Sequence, residues 1–265
     1  VRHPFFTSGT PRVFAHRGGS ALAPENTIAA FDRGLGLGAG GLELDVHLSR
    51  DGVVVVHHDA TLDRTTSLLG ALAERTADEL ARADAGFWFR SGDAYPFRSL
   101  GLGVPALADV LARYRDVPIV VELKVNSLEL ARGVVDVVRK ADATDRVCIG
   151  SFGLRVLREV RRLDPEMATS AAREEVRWAL YRSWCRWPRL RVPYAGYQVP
   201  EWSGRTRVVS PRFVDEARRA GLGVQVWTVD TESEARRLLE WGVEALITDR
   251  PDVIVPFVRS LTARD

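Results

Sequence analysis

The stretch GLELDVHLSRDGVVVVHHD, Gly41 to Asp59, sets two carboxylates two residues apart and ends on adjacent histidines. Read as strand, turn and strand, it puts Glu43 and Asp45 on one face, because side chains two apart on a strand share a face. Ionised Asp and Glu are rarely buried without a partner. The run IVVELK repeats the theme, with Glu122 and Lys124 two apart, and RVFAHR ends on His16 and Arg17. Three carboxylates aimed at one place repel each other unless a cation neutralises them. All-oxygen ligation by Glu43, Asp45 and Glu122 favours one hard divalent cation, Mg²⁺ or Ca²⁺, over zinc. Arg17 offers a planar fork suited to a phosphate, and Lys124 a point positive charge. Two histidines can exchange protons with an attacking and a leaving oxygen. The set points to phosphodiester cleavage rather than peptide or glycoside hydrolysis.

These residues need a frame that brings them together. Short β-rich runs recur at 12–15, 42–46, 53–57, 119–123, 146–150, 167–169, 195–199, 223–229 and 244–248, and helical patterns lie between most of them. That alternation implies βα units and a parallel sheet. Val46 and Val53 are too close for a crossover helix, so those two runs form an antiparallel hairpin with Asp51-Gly52 as the turn signal. Without the return strand, eight remain. Eight strands alternating with helices over 265 residues predict an α/β fold, a (β/α)8 TIM-type barrel with a hairpin at its rim. Residues 60–105 break the rhythm and read as a small insertion after the hairpin. The candidate groups all fall at or near strand C-terminal ends, where barrel active sites are built. A regular hairpin sets His58 opposite Glu43 and Val56 opposite Asp45, so His58 is expected to face the carboxylates and His57 to point away. His47 is expected to be a solvated hairpin residue. The Gly-rich run Gly34–Gly41 lacks phosphate-loop spacing and reads as a helix end and loop.

Composition narrows the function further. The chain is 46% hydrophobic and 27% charged, with a formal net charge of only +2, so nucleic acid is not an expected partner. Two cysteines, Cys148 and Cys185, are too few for a disulfide framework, and a reducing cytosol is the expected setting. No apolar run approaches the ~18 residues needed to span a membrane. The first residues show no signal-peptide core, and the chain starts at Val1 without an initiator Met.

The sequence also resembles a known family. HRGGSALAPENT (His16–Thr27), ELDVHLSRDGVVVVHHDATLDRTT (Glu43–Thr66), ELK (Glu122–Lys124), VWTV (Val226–Val229) and ITDRPD (Ile247–Asp252) look like the motif series of glycerophosphodiester phosphodiesterases. The resemblance implies a (β/α)8 barrel with an insertion after the HD motif. It implies a divalent metal on Glu43, Asp45 and Glu122, His16 and His58 as acid and base, and Arg17 and Lys124 on the phosphate. Trp227 would line the pocket. The small-molecule substrate would be a glycerophosphodiester, cleaved to glycerol 3-phosphate and an alcohol. Lysophospholipase D-type cleavage on the same barrel is an alternative, as is non-catalytic binding of glycerol phosphate groups.

Plainer readings compete at several positions. Pro24-Glu25-Asn26-Thr27 reads first as a helix start, with Glu25 and Asn26 as site supports second. On strand pattern alone, Trp227 fits core as well as pocket wall. Residues 174–197 interleave Trp178, Tyr181, Trp184 and Trp187 with Arg177, Arg182, Arg186, Arg189 and Arg191. The expected arrangement there is an outer helix with aromatics packed inward and arginines solvated. Transient membrane-surface contact and a lid over an apolar substrate tail are the less favoured uses.

Overall fold

In Ile119–Leu123 nearly every residue is apolar, as a strand covered on both sides requires. The computed structural model, which describes residues 3–6, 12–185 and 191–262, places this run within a sheet of parallel strands. In chain order the strands are β1 (Arg12–His16), β2 (Gly41–Leu48), β3 (Val54–Val56), β4 (Ile119–Leu123), β5 (Val147–Gly150) and β6 (Ala168–Thr169). They continue with β7 (Gly196–Pro200), the short pair β8 (Trp202–Ser203) and β9 (Thr206–Arg207), β10 (Gly223–Trp227) and β11 (Ala245–Thr248). The helices are α1 (Ile28–Gly36), α2 (Ala77–Ala81), α3 (Leu107–Arg113), α4 (Leu128–Lys140), α5 (Leu154–Leu163), α6 (Arg173–Cys185), α7 (Pro211–Arg219), α8 (Glu232–Glu240) and α9 (Pro251–Thr262).

Eight strands run in the order β6-β5-β4-β2-β1-β11-β10-β7, every neighbouring pair parallel. A single parallel bridge, Ser170 with Gly196, joins β6 to β7 and nearly closes the barrel. The architecture is the expected (β/α)8 barrel. Outward side chains such as Leu42, Leu44, Val121 and Leu123 belong to one buried core with Val134 and Val138 of α4 and Leu157 and Val160 of α5. Helix α5 buries Val156, Leu157 and Val160 and leaves Arg155, Arg158 and Arg162 exposed. Among the described residues no helix is long and apolar enough to cross a membrane.

The rim hairpin forms, but one step out of the expected register. Val46 pairs with Val56 and His47 with Val55, so Asp45 rather than Glu43 lies closest to the histidines, and the His57 N–H donates to the Asp45 carbonyl at 2.9 Å. Asp51-Gly52 does lie in the turn, with Gly52 at positive φ, but the loop spans residues 50–52 and is closed by the Ser49 N–H donating to the Val53 carbonyl. His47 is a second correction. It is buried, because the insertion covers that face of the hairpin: Val55 packs with Leu62, Leu72, Leu80 and Val104 in a core of their own. Within the insertion, the Arg98 guanidinium lies 3.7 Å from the Tyr95 ring centroid and 4.3 Å from that of Phe87.

Helix α6 is a third correction. Trp178, Tyr181 and Trp184 face outward, while Leu180 and Ser183 take the inward positions. Their three-residue spacing keeps the aromatics on one face, and that face is the one turned from the barrel. Trp187, Arg186 and Arg189 lie outside the described residues.

The barrel interior changes character along its axis. Its lower end is filled by Phe5, Phe6, Phe14, Val120, Cys148, Ala168, Ala245 and Ile247. Phe6 sits where two strands carry glycine. A Cβ at Gly223 would come within 2.1 Å of its ring and one at Gly196 within 2.8 Å, so only glycine leaves room for the plug. Truncating Phe6 to Ala should therefore open a void and cost about 3–5 kcal/mol of stability, the usual range for a buried Phe→Ala change. Chemical denaturation measures it; a loss under about 1 kcal/mol would show that the plug is not part of the core.

Candidate active site

Two residues up from the apolar plug, the same strands turn polar. Phe14 is followed by His16 on β1, Val120 by Glu122 on β4, and Ile247 by Asp249 just past β11, while β2 carries Glu43 and Asp45. Register aligns them: His16 lies beside Glu43, and Asp45 beside Glu122. After His16 the chain turns sharply. Arg17, Gly18, Gly19 and Asn26 all have positive φ, and a Cβ on Gly18 would come within 2.7 Å of Ala30. Asn tolerates this region, but Arg17 is held there against a cost on the order of 1–3 kcal/mol. The turn brings the Arg17 N–H to Glu43 Oε2 at 3.2 Å. It also carries Asn26 to Asp45, where the side-chain amide donates to Oδ2 at 2.9 Å and its oxygen accepts from the Asp45 N–H at 3.3 Å. Thr27 then caps α1 by accepting from the Ala30 N–H.

Glu43 and Asp45 are 4% and 1% exposed. Together with Glu122 they present ligand oxygens within 4.8 Å of one another. Arg17 Nε lies 3.2 Å from Asp45 Oδ2, and Lys124 Nζ lies 3.3 Å from both Asp45 Oδ1 and Glu122 Oε1. Those last two oxygens are buried yet accept no well-aligned hydrogen bond. Burial and the neighbouring Asp45 push Glu43 well above the usual carboxylate range. Burial also raises Glu122, against the pull of Lys124. Burial works to discharge Lys124, but Asp45 and Glu122 hold it charged. Three close carboxylates with two orphaned oxygens fit a hard cation, which would reverse their tendency to take up protons.

Each of two histidines is anchored at Nδ1 by an aspartate. His16 Nδ1 lies 2.7 Å from Asp249 Oδ1, and Ser20 also donates to that oxygen. Burial pulls the His16 pKa down, but Glu43 and Asp249 outweigh it and raise the group to about 8. His58 Nδ1 lies 2.6 Å from Asp59 Oδ1, and His58 is close enough to Glu122 for its charge to pull that carboxyl down. Burial opposes ionisation of Asp59, but Arg64 and His58 hold it at about 2. His57 instead turns its Nε2 to the Thr61 carbonyl at 3.2 Å, and burial lowers its pKa. Strand β3 ends at Val56, so the strict alternation that would aim His57 at the carboxylates stops one residue short of it. His47 Nε2 meets the His58 carbonyl at 3.0 Å, beneath the site.

The structure thus brings His16, Arg17, Glu25, Asn26, Glu43, Asp45, His58, Glu122 and Lys124 to one end of the barrel. Glu25 meets Arg17 at 3.0 Å and takes both terminal nitrogens of Arg64 at 2.7 and 2.8 Å. Trp227 is half-buried at the mouth, edge-on to Phe152 at 6.2 Å, and Phe152 is 45% exposed. Residue-by-residue reading passed over Asp249, Asp59 and Arg64. All three sat inside ITDRPD and DATLDRTT, but an Asp or Arg past a strand end reads as turn or surface until its partner is known. Arg64 links Asp59 to Glu25, and through it the His58 side of the site to Arg17.

Comparisons with known proteins identify the family. A family model described as the glycerophosphoryl diester phosphodiesterase family matches residues 16–253. The chain is 32% identical over 252 residues to a glycerophosphodiester phosphodiesterase of Caldanaerobacter subterraneus, covering 93% of this chain and 97% of that one. Among solved structures it is similar to a glycerophosphodiester phosphodiesterase of Agrobacterium tumefaciens, with a TM-score of 0.76, 28% identity, and 93% and 100% of the two chains covered. It is also similar to an Oleispira antarctica phosphodiesterase in complex with the product sn-glycerol-3-phosphate, with a TM-score of 0.75, 28% identity, and 94% and 97% covered. The chain therefore belongs to the glycerophosphoryl diester phosphodiesterase family and is a phosphoric diester hydrolase.

Proposed function

We propose that the protein hydrolyses glycerophosphodiesters to glycerol 3-phosphate and an alcohol, with one divalent cation, Mg²⁺ or Ca²⁺, on Glu43, Asp45 and Glu122 and with His16 and His58 moving the protons. The observation that carries this reading is the pair of Nδ1-anchored histidines beside a buried carboxylate cluster. A non-catalytic binder has no use for two imidazoles held in that way. Bound at the three carboxylates, a hard cation would polarise a phosphoryl oxygen and favour a bound hydroxyl over water.

The chain's own groups do the rest. Arg17 and Lys124 supply positive charge where the phosphate would sit, both held charged by Asp45. With Nδ1–H directed at an aspartate, each histidine keeps Nε2 free to take or give a proton. One Nε2 removes the proton of the attacking hydroxyl while the other protonates the leaving alkoxide. Asp249 and Asp59 stabilise whichever imidazole becomes charged and do not themselves transfer the proton. The sn-glycerol-3-phosphate bound by the Oleispira antarctica protein supports the glycerol phosphate half as the product retained.

Chelation should abolish turnover of glycerophosphocholine, and Mg²⁺ or Ca²⁺ should restore it; full activity in metal-free protein would remove the cation from the scheme. His16→Ala and His58→Ala should each lower kcat by roughly 10²–10⁴-fold. His57→Ala, assayed per folded molecule, should stay within a small factor, and a dead His57→Ala alongside an active His58→Ala would exchange their roles. Arg64 touches neither metal ligand nor histidine, so Arg64→Ala should act through the positions of Asp59 and, more weakly, of Glu25, since Arg17 keeps its own contact with Asp45. We expect kcat to fall on the order of tenfold to hundredfold with KM little changed, and an unaltered kcat would show that His58 needs no such brace.

A further inference from the structure

Helix α6 carries a feature that phosphodiester chemistry does not use. Trp178, Tyr181 and Trp184 are 63%, 49% and 56% exposed. Their rings form an edge-to-face ladder along the outer side of the barrel, with centroids 6.4 and 5.6 Å apart. Arg177 is exposed on the same face and makes no ion pair among the described residues. The neighbouring helix α5 turns Arg155, Arg158 and Arg162 outward. Arg162 is paired with Glu159, whereas Arg155 and Arg158 make no hydrogen bond or ion pair among the described residues. An open trough of about 500 Å³ lies along α5 beside the start of α4, lined by these three arginines, by Asn126 and Leu128, by Glu159 and, from α6, by Glu174.

We propose that the α5–α6 flank docks on an anionic phospholipid membrane, with the aromatic ladder at the headgroup level and Arg155 and Arg158 on lipid phosphates. Tryptophan and tyrosine favour that level because one end of each ring system is apolar and the other polar. Basic residues near an anionic leaflet each raise partitioning on the order of fivefold. The trough is open to solvent and holds three arginines to two carboxylates; Glu159 is taken up by Arg162, which leaves Arg155 and Arg158 against Glu174. A second copy of the chain fits the flank less well. A fully covered aromatic buries roughly 150–250 Å², so at these exposures the ladder offers roughly 350 Å². A stable protein interface needs about 800 Å² per partner. A bilayer sets no such minimum and needs no shape match. The proposal stands apart from the phosphodiesterase reading, because none of these residues touches the carboxylates or histidines.

Flotation with vesicles tests it. The full chain should float with vesicles of phosphatidylcholine and phosphatidylglycerol and should not float with phosphatidylcholine alone, and 0.5 M salt should release it, since screening at about that strength shortens electrostatic reach to a few ångströms. Trp178→Ser with Trp184→Ser should lower the bound fraction at least tenfold. Arg155→Gln with Arg158→Gln should lower it comparably, and both double variants should keep wild-type melting temperature and kcat on glycerophosphocholine. Binding that ignores lipid charge, or that either double variant leaves intact, would overturn the proposal. So would a wild-type dimer in light scattering that the tryptophan variant renders monomeric, which would assign the ladder to a second copy.

Discussion

Asp45 is the most demanding residue in the molecule. It is 1% exposed, ionisable, and set beside two further carboxylates. An unpaired charge in such a place costs several kcal/mol, and removing one partner of a buried pair typically costs 3–5 kcal/mol. Two separate segments answer it. The β1–α1 turn supplies Arg17 and Asn26, the latter also accepting from the Asp45 N–H, and the position just past β4 supplies Lys124. The positive φ of Arg17 and Asn26 follows from the same need, because only a tight reversal brings both the guanidinium and the amide onto one carboxylate. The local strain is retained because the alternative is a buried charge without partners.

The strands meet a second constraint with the two-residue period that fixes their faces. One face of each must seal the barrel and also build the site, and each strand divides the task along its length. Phe14, Val120 and Ile247 close the interior below, and His16, Glu122 and Asp249 open it to chemistry one layer above. A one-residue slip in any of these strands would put the polar group among the outer helices and an aliphatic side chain in the site. The apolar layer therefore sets the register as well as the stability, and the charged layer inherits its position from it.

That period is also why so much was legible in advance. The apolar run of β4, the ExD of β2 and the His-Arg end of β1 each announced a strand and the face of its polar groups. What failed was whatever depended on a partner not yet placed. The hairpin register came out one step away because Ser49, not the Asp-Gly pair alone, closes the turn. His47 read as solvated because nothing in VHLSRDG reveals that residues 60–105 fold back over it. Periodicity separated the two faces of α6 but could not say which one meets the barrel. Asp249 lies 233 positions from His16, and no local pattern links them.

The chain's two ends supply that last pair because β1 and β11 are neighbours in the sheet, joined in register from Arg12 with Ala245 to Ala15 with Thr248. The charged groups of the site all come from four consecutive strands and their connections, β11, β1, β2 with its hairpin, and β4. Among the described residues, the remaining half of the rim contributes no carboxylate to the cluster and no anchored histidine. It contributes Phe152 after β5 and Trp227 at the end of β10, edge to face at the mouth, with the Arg173 guanidinium 4.9 Å from the Phe152 ring centroid. Charge is thus handled on one side of the barrel, where every group is pinned by another and a substitution disturbs several at once. The aromatic side has few such ties, so its side chains can change size or polarity without disturbing the buried carboxylates. A barrel divided in this way can vary the aromatic side of its mouth while the groups around Asp45 stay as they are.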